Sequence, residues 1–162
     1  MAQLDRQTYK SSWNPNVAEM VMSFDDNSAA GAAGVYSIST VVPAGSYILD
    51  VQVHADTLWD SSTSAALIVG DSDDPNGFFD AVNLKATDLV ANEVLSFYHY
   101  GSASEHGAYI TDDNGVMTQY SSSARTISAE VTTVGTATAG VTRIVVIWAK
   151  PTDSVASSFV AS

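Results

Sequence analysis

In several segments between residues 35 and 150 the apolar residues of this chain recur at every second position, the period of a strand with one buried face. Ser46–His54 shows it best: Tyr47, Leu49, Val51 and Val53 point one way, and Asp50, Gln52 and His54 the other. Composition pushes the same way. Val, Ile and Thr supply 19, 7 and 14 residues, whereas Leu has 7, Glu 4 and Lys 3, so β-branched side chains replace helix formers.

Similar patterns predict strands at Val35–Val42, Ser64–Val69, Thr126–Val134 and Val141–Ala149. Ser64–Val69 is continuously apolar, as in a strand buried on both faces, and Ile/Val-rich Val141–Ala149 reads as a central strand closed by Pro151. Pro43-Ala44-Gly45 has turn chemistry. Asp112-Asp113-Asn114-Gly115 between Ala108–Thr111 and Val116–Tyr120 reads as a hairpin. Glu93–Tyr100 fits a strand, although Leu89, Glu93 and Phe97 also fit helical spacing. Longer loops are expected at 55–63 and 70–92. The expected fold is all-β: a jelly-roll-like antiparallel sandwich of about eight strands, an up-and-down barrel having the same count.

Three zones follow: an N-terminal arm and linker at 1–34, a sandwich at 35–150, and a Ser/Ala-rich tail at 151–162. Within the arm, Ala18, Met20, Met22 and Phe24 form an apolar stripe on one period-two segment, followed by the small-residue run 29–34. An isolated strand cannot keep such a stripe in water, so it must dock on its own sandwich, on a neighbouring copy or on another protein. A partner chain is the expectation, by strand addition, which makes these four residues the candidate partner-binding set.

One domain of 162 residues buries enough surface to fold without staples, and with Cys 0 it has no disulfide or thiolate metal site. A net charge of −12 makes nucleic acid and anionic membrane poor partners. No secretory h-region, membrane-length apolar run or Asn-x-Ser/Thr sequon occurs, so a chain made in the cytoplasm is expected. Between Lys10 and Lys85 there are ten acids and no Lys or Arg, which suits either a soluble surface or a basic partner.

Catalytic motifs are missing: no G-x-S-x-G, H-E-x-x-H, P-loop or G-x-G-x-x-G occurs. A Ser/His/Glu grouping can be drawn from His99, Ser102, Ser104, Glu105 and His106, but a chain with 22 serines produces that by chance. His54 falls on the polar side of its strand. Asp71-Ser72-Asp73-Asp74-Pro75-Asn76-Gly77 has calcium-type ligands out of EF-hand register, and an Asx-stabilised turn explains it better. No cofactor and no metal are expected.

The segments Val42-Pro43-Ala44-Gly45, Leu49-Asp50-Val51 and Leu67-Ile68-Val69-Gly70-Asp71-Ser72-Asp73-Asp74-Pro75-Asn76-Gly77-Phe78-Phe79, with Arg143–Lys150, resemble the small β-sandwich structural proteins encoded beside the capsid genes of tailed bacteriophages. That resemblance covers roughly residues 35–85 and 140–150. It implies a non-enzymatic virion protein of the capsid decoration or cement type. Such a protein is trimeric, sits on the capsid surface and binds across subunits of the major capsid protein. The alternative is a head or tail appendage that binds carbohydrate through exposed aromatics such as Trp59, Phe78, Phe79, Tyr98 and Tyr100.

Overall fold

The computed structural model describes residues 14–27, 29–96, 105–111 and 120–150. Among the described residues nine strands run in chain order as β1 (Pro15–Ser23), β2 (Gly34–Val42), β3 (Ser46–Thr57), β4 (Ser64–Gly70), β5 (Phe79–Asn83), β6 (Val94–Ser96), β7 (Tyr120–Ser121), β8 (Arg125–Val134) and β9 (Val141–Ala149). One helical turn, α1, occupies Ala108–Thr111. The pairs β4·β5, β3·β6, β2·β8 and β1·β9 are antiparallel and nested, as in a ribbon folded once on itself. Wrapping that ribbon sets β3 beside β9 and β4 beside β8. Two sheets result. Sheet I has the order β1-β9-β3-β6, with β7 also on β3, and sheet II the order β2-β8-β4-β5. This is a jelly-roll sandwich.

The core lies between the sheets and follows the alternation. Leu67, Val69, Ile127 and Val131 from sheet II face Val51, Val53, Ile144 and Val146 from sheet I, all fully buried. In β3 the alternation shifts at a bulge between Ile48 and Asp50, so Ile48 enters the core and Tyr47 and Leu49 are only half-buried. Trp59 fills one end of the core. Its ring meets Tyr36 edge-on at 5.0 Å, and its Nε1 donates to Thr142 Oγ1 at 2.9 Å.

Several expectations need correcting. The sandwich starts at Pro15 instead of residue 35, because β1 pairs along its whole length with β9 of the same chain. Residues 29–34 are no loose tether. Gly31 N donates to Phe24 O at 2.7 Å, and Gly31 O accepts from Ala137 N at 2.8 Å. Gly31 has φ 71°, and a Cβ there would sit 1.8 Å from Ala137 O, so this glycine is required by the close approach. Ala108–Thr111 is helical, not extended, because Gly107 and Tyr109 bond across to Phe78 and Gly77. β5 falls inside the expected long loop at 70–92. β4 buries one face only, since Ala66 and Ile68 are half-exposed. The hairpin turn 112–115, the first 13 residues and the tail 151–162 lie outside the described residues.

Candidate functional site

The stripe Ala18, Met20, Met22 and Phe24 does share one face, but that face closes the chain's own core. Met20 and Met22 are 3% and 2% exposed, Phe24 packs against the core, and Ala18 is half-buried. Burying the two methionines contributes on the order of 3–6 kcal/mol, at about 1.5–3 kcal/mol each. Their side chains are therefore not displayed to another protein. The physical reason is that β9 offered an open edge, and β1 had the matching period.

The Asp-rich loop forms a closed staple. Asp71 Oδ1 accepts from the backbone N–H of Asp73 at 3.0 Å and of Asp74 at 3.1 Å, and from Tyr109 Oη at 2.8 Å. Asp71 Oδ2 takes a short hydrogen bond and ion pair from Arg125 Nε. The guanidinium also lies over two rings, 5.1 Å from the centroid of Phe78 and 4.9 Å from that of Tyr109. Burial pushes the Asp71 carboxyl up, but the bonds from Arg125, Tyr109 and the backbone outweigh it and hold the group below the usual carboxylate range. Burial, then the bond to Asp71, pushes the Tyr109 hydroxyl up to about 12. Both oxygens of the carboxylate best placed to start a calcium loop are thus committed within the chain. Among the described residues no group of three or more His, Asp or Glu side chains converges as a metal site would.

The other candidates separate in space. His54 lies on the outer face of sheet I, with Nε2 3.3 Å from Gln52 Oε1. His106 forms an isolated bridge with Phe79, and Glu105 O accepts from Asp80 N at 3.0 Å. His99, Ser102 and Ser104 lie outside the described residues. Of the five aromatics proposed as a sugar platform, Trp59, Phe78 and Phe79 are core residues at 2% exposure or less. Tyr98 and Tyr100 lie outside the described residues.

What remains for binding is the surface of the sheets. The outer face of sheet I carries an ionic cluster beside exposed Val17 and Val21, at 61% and 39% exposure. Arg143 bonds Asp56 Oδ2 through Nε at 3.0 Å and Nη2 at 2.7 Å, and reaches Glu19 Oε1 through Nη1 at 2.5 Å. The bonds to Asp56 lead in raising the arginine's pKa. Beside them Gln52 Nε2 donates to Asp50 Oδ2 at 2.7 Å. The outer face of sheet II differs. Val35, Ser37, Ser39 and Val41 of β2, Thr126, Ser128, Thr132 and Val134 of β8, and Ser64, Ala66 and Ile68 of β4 surround Glu130, and β5 adds the half-buried Asp80 at the far edge. Sequence reasoning missed both this face and the Arg125 staple. The Ser/Val alternation of β2 was a readable signal for the first, and an Arg, one of three in an acidic chain, was a signal for the second.

By strand order and core the chain is an antiparallel jelly-roll sandwich of a single unit. The same fold is found, at 16% sequence identity and a TM-score of 0.57, in a chain of the structure "Cyanophage Pam1 capsid asymmetric unit", over 93% of this chain and 94% of that one. It is found again in the "Acidic stable capsid structure of Helicobacter pylori bacteriophage KHP30", at 15% identity and TM-score 0.56, over 87% of this chain and 90% of that one. A chain of the "Capsid of Ralstonia phage GP4" matches at 15% identity and TM-score 0.51, over 90% of each chain. No protein-family model matches the sequence, and no curated protein matches it.

Proposed function

We propose that this chain is a non-enzymatic structural protein of a bacteriophage virion, and that it decorates and cements the head by binding across neighbouring subunits of the major capsid protein. The observation that carries this reading is the likeness of fold to chains from three phage capsid structures, each running over nearly the whole of both chains. The Val-Gly-Asp…Pro-Asn-Gly-Phe segment supports it. That segment is a structural staple, which suits a protein whose work is to present a rigid body. The protein acts as a homo-oligomer, a trimer on the analogy of the cement proteins it resembles, seated on the outer capsid surface. An interface of about 1,600 Å² per site suffices for specific binding, and repetition over a shell multiplies the stabilisation. No special residue is needed.

The test is the copy number of the protein in purified virions, with a density map of the same particles. Hundreds of copies spread over the shell fit cement. A handful at a single vertex would move the protein to an appendage and end the decoration reading.

A further inference from the structure

We propose that the outer face of sheet II, continued round the open edge of β2, is the surface on which a second copy of this chain sits. The proposal deepens the reading above and rests on it for the expectation of a homo-oligomer; the surface itself is argued from charge and strand geometry.

Charge comes first. Two copies at −12 each repel, and contact through most of the surface brings carboxylates together. Sheet I presents Glu19 and Asp56, and the loop after β4 carries Asp73 and Asp74. Sheet II presents Glu130 alone among the outward positions of β2, β8 and β4, and its one other strand acid, the half-buried Asp80, lies on β5 at the edge away from β2. A basic partner would be drawn to the acidic surfaces and would gain nothing from this one. A like-charged copy has the opposite preference, because the charge-depleted centre of an interface is where desolvation costs least. The face also displays Val35, Val41 and Val134, at 54%, 58% and 51% exposure. Short hydroxyls lie between them, cheap to bury when they find partners.

The edge of β2 is an independent observation. Sheet edges are ordinarily protected by charge, proline, a bulge or shortness. β1 has Pro15 and Glu19, β5 has five residues with Asp80 and a register shift against β4, and β6 has three residues. β2 has nine residues in unbroken register with β8, with no charge and no proline. Its open side faces a cleft of about 440 Å³ lined by Val21, Asn27, Val35 and Ser37, with one acid, Asp26, at the cleft. Among the described residues it is the edge left without protection. Three strands about 4.8 Å apart and about 25 Å long offer roughly 350 Å² of flat area, to which side-chain relief and the edge of β2 add toward the ~800 Å² each partner gives a standard interface.

The experiment uses the full chain. Val35→Glu with Val41→Glu places two like charges on the face at exposed positions, and Val17→Glu places one on sheet I as a control. Mass by light scattering over a range of concentrations should show an oligomer for the wild type and the control. The double variant should associate roughly a hundredfold more weakly, at unchanged circular dichroism. Hydrogen exchange on the wild type supplies a readout without mutation: amides of residues 35–41 should become more protected as concentration rises. A double variant with the wild-type oligomer, or β2 amides that exchange alike in monomer and oligomer, would overturn the surface. A wild type that stays monomeric at high concentration overturns the second copy as occupant. Binding to shells stripped of the protein is read in parallel. It bears on the capsid role alone, so either idea can fail without the other.

Discussion

Arg125 is held by Asp71 beneath the rings of Phe78 and Tyr109, while Arg143 is held by Glu19 and Asp56 on the outer face of sheet I. The chemistry is the same and the surroundings are not. The side chains of Arg125 and Asp71 are 10% and 5% exposed, against 36% for Arg143 and 51% and 31% for its two acids. Water competes for the second set and salt screens it. Neither competitor reaches the first, where losing one partner strands a desolvated charge. The comparison separates a structural ion pair, which locks the 71–77 loop to β8 and α1, from a surface one that dresses a sheet.

The largest expected effect tests that separation directly. Arg125→Ala should cost about 3–5 kcal/mol, the usual penalty for stranding a buried partner, and lower the melting temperature by roughly 10 °C. A loss below about 1 kcal/mol would place Arg125 with Arg143 and break the distinction. The acid limb sharpens it. Asp71 has a lowered folded pKa, so its contribution is present above its ordinary value of 3.8 and is lost as pH falls through the folded value. Melting curves taken between pH 5 and pH 2 should therefore fall more gently in Arg125→Ala than in the wild type.

Gly77→Ala probes the same staple by shape. A Cβ there would lie 2.3 Å from Tyr109 Cε2, so the ring must move off Asp71 and Arg125, at a cost of about 1–3 kcal/mol. Wild-type stability in a urea titration would show that the ring is free to shift. Tyr109→Phe keeps the ring over Arg125 and removes one donor to Asp71, which should cost about 1 kcal/mol. Its alkaline behaviour carries a sign. The folded pKa is raised from 10.0 to about 12, so the tyrosine's contribution is whole below pH 10 and is lost on the way to 12. The variant should lose stability less steeply over that window.

Smaller effects belong to the surface. Arg143→Ala should leave the melting temperature unchanged at physiological salt and lower it only at low ionic strength. A large loss at high salt would mean that the outer face of sheet I helps hold the fold together. Calcium at 1 mM should have no effect, because Asp71 is already occupied by Arg125, Tyr109 and backbone donors. A site with Kd near 10 μM would instead add about 2.7 kcal/mol. Such a gain, abolished by Asp73→Ala, would show that the loop opens to take metal.

The strands with long local patterns were readable in advance. β2, β8 and β9 lie within a residue of the expected spans, β4 one residue beyond its span, and Pro43-Ala44-Gly45 turns the chain into β3 as its residue types require. The short or interrupted elements were not. β5 has five residues, with Ala81 at φ 52°, too brief and irregular for a period to emerge. The helical turn at Ala108–Thr111 is held by bonds to Gly77 and Phe78, some thirty residues back, and nothing inside Ala-Tyr-Ile-Thr announces it. The bulge in β3 moved Ile48 into the core in place of Tyr47 and Leu49, a choice made by the pairing with β9.

By itself the sequence determined the class of fold, since β-branched side chains at period two can bury a face only as strands and short polar turns return the chain antiparallel. It also determined which side of β1 would be apolar. Tertiary structure alone decided what that side would meet. Met20 pairs across to Ile144, and Arg125 reaches Asp71 at a separation of 54 residues, distances along the chain at which no local pattern names the partner. Strand partners and buried ion pairs are chosen by which edges and carboxylates the wrapped ribbon brings together. The same wrapping left the outer face of β2, β8 and β4 with one acid, Glu130, and β2 open at its edge, because a face is assembled from segments that are neighbours only after folding.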